Sequence, residues 1–468
     1  MAKKFIPERF EDLEVVDITA LGKGVVKTPE GKVIFVSGVI PGDKISIETF
    51  KKRRGYFEAN LIQINQPSSD RVVPVCEHFG VCGGCKWQNM SYDAQLRFKQ
   101  KEILHNLKNI SGMALPEIED IQGANKSYSY RNKMEYSFSN QRWLTAEEVA
   151  DPSLTLEKKG LGFHKAGMWD KVVDIHQCHL QPEPGNAIRN SIKAFALEHH
   201  LDFFNPRNQE GFLRSLMIRN SNRGEFMVLI QFFQEDRVNR EALLNHLVQQ
   251  FDIASLLYCI NSKPNDTLYD QEIYCFHGKE FIVEEMEGLS FKVNAKSFFQ
   301  TNTEQAYELY KIVRDFAELK GDECVYDLYT GTGTIAQFIA KDCNKVIGIE
   351  SVPEAIAAAQ TNAKENDIQN AFFEVGDMRK VFNEDFILRH GKADLVITDP
   401  PRNGMHPDVI KQLLALQAQK IVYVSCNNAT QARDLHLMKD DYRLVRTKAI
   451  DMFPQTQHVE NIVLLEKI

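Results

Sequence analysis

Short apolar runs alternating with helix-like segments constrain this chain more than any other feature. Residues 324–328, 345–349, 371–375, 394–398 and 421–424 read as strands, with helices expected over 335–340, 353–366 and 409–416. Apolar strands separated by helices imply a parallel sheet covered on both faces, because each return to a parallel neighbour needs a crossover that lies on the sheet. The first of these units, Val325-Tyr-Asp327-Leu-Tyr329-Thr-Gly331-Thr-Gly333-Thr334, is strand, glycine turn and helix, a nucleotide-binding pattern in which backbone and ligand approach closely. Glu350 ends the next strand, nineteen residues after Gly331, where a carboxylate can accept both hydroxyls of a ribose.

The fourth strand decides which nucleotide. Asp399-Pro-Pro-Arg402 stands at its carboxyl end, over the crevice where open parallel sheets bind ligands. Tandem prolines remove backbone donors and stiffen a loop beside a substrate base; such a loop resembles those of nucleobase methyltransferases, and the resemblance implies S-adenosylmethionine in preference to NAD. Asp377, at the end of the third strand, is placed to meet the adenine amino group, or is a plain turn aspartate. Arg402 is a candidate substrate contact, or is salt-bridged within its own loop.

Two further residues supply chemistry. Cys426, in Ile-Val-Tyr-Val-Ser-Cys-Asn-Asn, is a thiol at the end of an apolar strand, and Glu460 follows in Asp451-Met-Phe-Pro-Gln-Thr-Gln-His-Val-Glu460. A strand cysteine is commonly an inert core residue. Beside a methyl donor, however, a nucleophile and a base suggest alkylation of an unreactive carbon. Carbon 5 of uracil is such a carbon: a thiolate adding to carbon 6 makes the ring an enolate, and a base must then remove the carbon 5 proton so that the thiol can leave.

Ser425-Cys426-Asn427 with Ala429-Thr-Gln-Ala-Arg-Asp434, and then the segment 451–460, closely resemble the signatures of the RNA uracil-5 methyltransferase family. The resemblance implies Cys426 as nucleophile and Glu460 as base. It also implies cofactor contacts for Gln300 (in Ser-Phe-Phe-Gln-Thr-Asn), Tyr329, Thr334, Glu350, Asp377 and Asp399. Asn428 stands where the family often has proline, and Thr334 where it often has asparagine. The likeness extends over nearly the whole chain.

The N-terminal part has β-like runs at 13–18, 32–36, 44–50 and 56–64, separated by turn signals at Gly22-Lys-Gly24, Pro29-Glu-Gly31 and Pro41-Gly-Asp43, which predicts a small β-barrel. This barrel resembles the OB-like TRAM module with which such enzymes hold RNA. Net charge is −8, which disfavours general affinity for polyanions, yet residues 1–66 hold 11 Lys or Arg against 9 Asp or Glu. Lys51-Lys-Arg-Arg54 followed by Gly55-Tyr-Phe57 suits phosphate contact and base stacking, or serves as a solvated hairpin edge.

Cys76, Cys82 and Cys85 gather three thiols among glycines, and Cys178 would complete a set of four. Zinc and a 4Fe-4S cluster both accept four thiolates, and His78, His176 and His179 keep zinc open on spacing. The resemblance favours the cluster, since these four positions match the ligands of the family's iron-sulfur members. Five residues between Cys76 and Cys82, where radical S-adenosylmethionine enzymes have three, argue for a structural cluster.

The expected architecture is therefore α/β and multidomain: a barrel over 1–66, an α+β middle domain with the four-cysteine site over 67–290, and a Rossmann-like catalytic domain over 291–468. In the middle part helices are expected at 91–107, 186–199 and 240–251, and strands at 214–219 and 226–232, with no dominant motif. Nine cysteines, an odd number, with no apolar leader and no run of about 18 apolar residues point to a cytoplasmic protein outside the membrane. The resemblance implies RNA as partner, 23S ribosomal RNA in particular, with no obligate protein partner evident. Transfer RNA is the alternative substrate, an adenine amino-group methyltransferase the rival chemistry, and a noncatalytic RNA-binding factor the rival class.

Overall fold

The computed structural model describes residues 5–151, 153 and 156–468. The chain divides into two compact units, Met1–Glu102 with Phe453–His458, and Ile103–Met452 with Val459–Ile468.

The first unit is built on a closed barrel of β1 (Arg9–Ile18), β2 (Gly24–Lys27), β3 (Val33–Val36), β4 (Lys44–Lys52) and β5 (Phe57–Gln66), in the order β1-β2-β3-β5-β4. Alternation builds its core: along β4, Ile45, Ile47 and Thr49 point inward while Lys44 and the flanking polar residues face out. Val15, Val26, Ile34, Val36, Val39 and Ala59 complete the interior. Strand β2 begins at Gly24, the last residue of a turn signal, and runs through residues 25–27, which the sequence reading left unassigned. Gly24 opens it because a Cβ there would come within 2.4 Å of Val39 and 2.9 Å of Val15, so its glycine serves packing and not a turn.

Asp43 ties the barrel to the chain that leaves it. Its carboxylate is fully buried and accepts the N–H groups of Ile40 (2.8 Å) and Ser68 (2.9 Å) and the Arg71 guanidinium (Nε, 3.0 Å). Burial alone would raise its pKa, but the Arg71 pairing and the two amides together hold it below the usual aspartate range. After the barrel comes an irregular stretch and then helix α1 (Tyr92–Asn106). Gln95 on that helix is buried and exchanges two hydrogen bonds with Gln455, so that the 453–458 segment packs in this unit.

The second unit carries two large sheets. The first sheet is formed by β6 (Lys133–Ser139), β7 (Gly160–His164), β8 (Val172–Asp174), β9 (Leu213–Asn220), β10 (Phe226–Phe232), β11 (Ser255–Ile260) and β12 (Tyr274–Gly278). Their order is β12-β11-β10-β9-β6-β7-β8. Only β10 and β11 pair in parallel. The short helix α2 (Ala146–Ala150) lies between β6 and β7, while α3 (Gly185–Glu198) and α4 (Arg237–Gln250) bury Ile188, Ile192, Phe195, Leu243, Leu244 and Leu247 in this sheet's core. The sequence shows no dominant motif here because β6, β7, β8 and β11 are short and lie between long irregular connections.

A hairpin, β13 (Phe281–Met286) and β14 (Leu289–Asn294), and helix α5 (Thr303–Ala317) lead into the second sheet. Its strands are β15 (Cys324–Leu328), β16 (Lys345–Glu350), β17 (Ala371–Val375), β18 (Leu395–Thr398), β19 (Lys420–Ser425), β20 (Tyr442–Ile450) and β21 (Glu460–Lys467). Helices α6 (Thr334–Ile339), α7 (Pro353–Glu365), α8 (Met378–Val381), α9 (Glu384–His390), α10 (Pro407–Leu416) and α11 (Asn428–Met438) connect them. The order β17-β16-β15-β18-β19-β21-β20 is parallel through β19, as the alternation requires. It is not parallel throughout: β21 runs antiparallel to β19, and β20 antiparallel to β21. The last two strands escape a reading by strand-helix alternation because no helix separates them.

Replacing Asp43 with alanine leaves Arg71 and two amides without their acceptor and should cost about 2–4 kcal/mol in urea unfolding of the full chain. Because the folded pKa is depressed, this contribution is complete above the unfolded aspartate value of about 3.9 and disappears as pH falls through the folded value, so wild type and variant should converge in acid.

Candidate active site

The parallel strands place their carboxyl ends along one edge, and there the predicted residues gather. Leu328 is in register with Ile349 on one side and Thr398 on the other, and Thr398 with Tyr423. Tyr329, Glu350, Asp399 and Cys426 therefore emerge at or just beyond the ends of neighbouring strands. Tyr329 leaves β15 with φ of 63°, a left-handed conformation unusual for a non-glycine residue, and the following Gly331 (57°) and Gly333 (72°) share it. A Cβ on Gly333 would come within 2.6 Å of Phe373 and 2.9 Å of Ala359, whereas one on Gly331 would meet nothing within 4 Å. One glycine is needed for packing, and the other borders open space.

The polar groups around this turn fall into two electrostatic classes. Inside, Asp327 is buried and accepts the Thr330 hydroxyl, yet its Oδ1 has no partner, and burial pushes its pKa up to about 7. Asp399 is likewise pushed up to about 7, by burial and then by Asp327. At the rim, Glu350 accepts the N–H groups of Gly331 (3.3 Å), Ser351 (2.6 Å) and Val352 (3.1 Å). Asp377 caps α8 and pairs with Arg379 (2.7 Å), which brings its pKa down to about 2. Thr334 shares a hydrogen bond of 3.0 Å with the Tyr310 hydroxyl. The loop holding Gln300 approaches the turn where the Thr332 hydroxyl meets the Phe298 carbonyl at 3.4 Å. This donor set fits S-adenosylmethionine: Glu350, Asp377 and Asp399 suit ribose hydroxyls, an amino group and a cationic sulfonium, and would repel the pyrophosphate of NAD.

Cys426 and Glu460 are brought together by strand pairing. In the β19–β21 ladder Lys420 faces Glu466 and Ser425 faces Asn461; the same register carried one residue further sets Cys426 opposite Glu460. The Glu460 carboxyl is buried and its pKa is pushed up to about 8, by burial first and then by Asp399, against an opposing effect of Arg402. The Cys426 thiol is pushed up to about 11 by burial, then by Glu460 and Asp399, with Arg402 again opposing. These four residues form one electrostatic neighbourhood although Cys426 and Glu460 stand 34 positions apart in the sequence.

Residues to which the sequence reading assigned no role, several of them inside the signature it quoted, fix this arrangement. Asn427 caps α11 and donates to the Arg402 carbonyl at 3.0 Å, and the Thr430 hydroxyl reaches the same oxygen at 3.1 Å. Buried Asp434 accepts the Met405 amide and the Tyr423 hydroxyl, both at 2.8 Å. The loop after Asp399 is thus stapled to the helix after Cys426. Gln431 and Asn461 bond each other at 2.8 Å, and the Thr447 hydroxyl donates to Asn461 at 3.1 Å, locking the start of β21 beside Glu460. The signature 429–434 contains Thr430, Gln431 and Asp434 and was the available signal for them.

The four cysteines divide between the two compact units. Cys76, Cys82 and Cys85 lie in the irregular stretch before α1, wound by turns in which the Phe79 amide meets the Cys76 carbonyl (3.1 Å) and the Cys82 amide the His78 carbonyl (3.0 Å). Gly80 and Gly83 have φ of 84° and 80° and permit these reversals. Cys178 precedes α3; Asn186 accepts its amide at 2.8 Å, and burial raises its thiol.

The family model for tRNA (uracil-5-)-methyltransferases matches residues 271–468. The chain is similar to an uncharacterized RNA methyltransferase of Porphyromonas gingivalis, 49% identical over 97% of this chain and 99% of the relative. One from Bacteroides thetaiotaomicron is also 49% identical, over 96% of this chain and 100% of its own length. Among solved structures it resembles the Pyrococcus abyssi tRNA (uracil-54, C5)-methyltransferase in complex with S-adenosyl-L-homocysteine, at a TM-score of 0.75 and 30% identity. That likeness covers 98% of this chain and 100% of the other.

The raised pKa of Glu460 has a stability consequence. Its neutral form is favoured by folding, so this contribution is complete below the unfolded glutamate value of about 4.3 and is lost as pH rises through about 8. Glu460→Gln should therefore match wild type only below about pH 4 and exceed it by well over about 1 kcal/mol at pH 9 in urea unfolding.

Proposed function

The chain belongs to the S-adenosylmethionine-dependent RNA uracil-5 methyltransferase family, and on that premise we propose that it methylates carbon 5 of a uridine in 23S ribosomal RNA, with Cys426 as nucleophile and Glu460 as base. The observation that carries this reading is the antiparallel register of β19 and β21, which sets a thiol and a buried carboxyl face to face beside Asp399. S-adenosylmethionine, bound along the carboxyl edge by Gln300, Tyr329, Thr334, Glu350, Asp377 and Asp399, supplies the methyl group.

The chain's own residues do the rest. The Cys426 thiolate forms the Sγ–C6 bond, and the displaced π electrons move to O4, leaving C5 nucleophilic. Once C5 is methylated, Glu460 takes its proton, the electron pair restores the C5–C6 double bond, and the C6–Sγ bond breaks to return the thiolate. A carboxyl with a pKa near 8 is suited to this exchange, since it both accepts and releases a proton near neutrality. Positive Arg402 opposes the elevated pKa of both groups, and substrate binding that brings it closer would favour the thiolate.

The barrel hairpin supports an RNA-holding role. Arg53 and Tyr56 close a turn with Gly55 at φ of 89°, Tyr56 packs on Phe35 at 4.6 Å, and Lys52 stands 5.6 Å from the Phe57 ring. Cations beside aromatic faces suit unpaired nucleotides. Cys76, Cys82, Cys85 and Cys178 are assigned to a 4Fe-4S cluster, with zinc as the second choice; four thiolates and glycine-permitted turns fit either, and the group would serve a structural role outside the reaction. Function divides over 1–66, 67–290 and 291–468 in this reading, with the cytoplasm as the site of action. Among the described residues no helix is long and apolar enough to cross a membrane.

Transfer RNA is the second reading. The likeness to the Pyrococcus abyssi tRNA (uracil-54, C5)-methyltransferase covers 98% of this chain and 100% of the other, which supports this alternative.

The test uses RNA containing 5-fluorouridine, whose fluorine cannot leave as a proton. Incubated with labelled S-adenosylmethionine, wild type should form a denaturation-resistant adduct with 23S ribosomal RNA, and Cys426→Ala none. Methylation by Cys426→Ala should fall by more than about a thousandfold. An adduct on transfer RNA alone would transfer the substrate assignment, and none on either would favour a noncatalytic binding factor. On ordinary uridine the wild-type rate should rise with pH through about 8 as Glu460 ionises, and Glu460→Gln should accumulate the methylated adduct because the C5 proton stays in place.

A further inference from the structure

The loop between β14 and α5 carries Gln300 and leans on a buried polar cluster that the mechanism leaves unused. Asn132, just before β6, is 6% exposed and reaches two successive carbonyls of this loop. Its backbone N–H donates to the Thr301 carbonyl (2.9 Å) and its side-chain amide to the Gln300 carbonyl (2.9 Å). The same amide donates to the Thr303 hydroxyl (2.8 Å), which in turn donates to the buried Glu284 carboxyl (2.9 Å). The Asn222 amide holds the other oxygen of Glu284 at 3.1 Å. The loop is also pinned at both ends. Arg219 donates to the Asn294 carbonyl at 2.8 Å, and Asn302 caps α5 and donates to the Met452 carbonyl at 2.9 Å.

We propose that Asn132 is a positioning residue for the methyl-donor site, clamping the Gln300–Thr301 backbone from which the Gln300 side chain reaches the donor. This rests on the reading of Gln300 as a donor contact. The loop itself is poorly buried on its outer side, where Phe298 is 66% exposed, so its inner carbonyls would otherwise bond to water in many orientations. Two hydrogen bonds from one buried residue to consecutive carbonyls fix the intervening peptide plane and lower the ordering cost that the donor would meet on binding. Glu284 completes the clamp by fixing Thr303, and so the orientation of the Asn132 amide.

The test is calorimetric titration of S-adenosyl-L-homocysteine into wild type, Asn132→Ala, Gln300→Ala and the double variant, with thermal melts to confirm folding. Asn132→Ser, too short to span to Gln300 and Thr303 together, replaces the alanine variant if that one does not fold. Each single variant should weaken binding about tenfold, and the double variant should be no weaker than Gln300→Ala alone. KM for S-adenosylmethionine should rise in Asn132→Ala while kcat at saturating donor and RNA affinity stay within about twofold, which general loosening of the fold would not produce. Wild-type affinity in Asn132→Ala beside weakened Gln300→Ala would overturn the clamp, as would losses that multiply in the double variant. Unchanged binding in Gln300→Ala would instead remove Gln300 as a donor contact, and the clamp with it.

Discussion

The pairing of β21 against β19 is the constraint on which the candidate chemistry depends. Strands β15 to β19 can present residues only at their carboxyl ends, and Cys426 is one of these. An antiparallel strand laid beside β19 begins where β19 ends, so its first residue, Glu460, arrives at that edge as well. A slip of one residue would turn Glu460 to the other face of the sheet. Gln431, Asn461 and Thr447, all buried and mutually bonded, make such a slip costly because every shifted register leaves amide groups without partners.

Burial then shapes the electrostatics. Burial favours the neutral form of Asp327, Asp399 and Glu460, and Asp327 raises Asp399 further as Asp399 raises Glu460. Asp377 at the rim, held by Arg379, lies at the opposite extreme. Burial on one side and pairing with Arg379 on the other thus divide these carboxyls into groups that titrate near neutrality and one that stays charged. The staples from Asn427, Thr430 and Asp434 keep the loop after Asp399 at the depth where this division holds.

Much of the catalytic sheet was legible because each of its parallel strands is an uninterrupted apolar run followed by a helix. The helices expected at 91–107, 186–199 and 240–251 likewise correspond to α1, α3 and α4 within a few residues at each end. Strand β2 was not legible, since glycine at its start marks a turn by composition and a tight packing contact in the structure. Of the seven-stranded sheet of β6 to β12, β9 and β10 were legible as the strands expected at 214–219 and 226–232, whereas the pairing of β6 with β9, distant in sequence, was not. Gln300 could be named from its motif, but Asn132, which holds it, lies 168 residues earlier and has no local pattern.

The sequence by itself determined the parallel sheet, the glycine turn, the carboxylates at successive strand ends and the thiol at Cys426, because periodicity and strand-end position are local properties. Tertiary structure alone decided that Glu460 comes opposite Cys426, that burial raises Asp399 and Glu460 while Arg379 holds Asp377 low, and that Asn132 bonds the Gln300 loop. Each of those depends on which distant segments pair and on how deeply they are buried, and desolvation and strand register act on the folded neighbourhood, not on the order of residues along the chain.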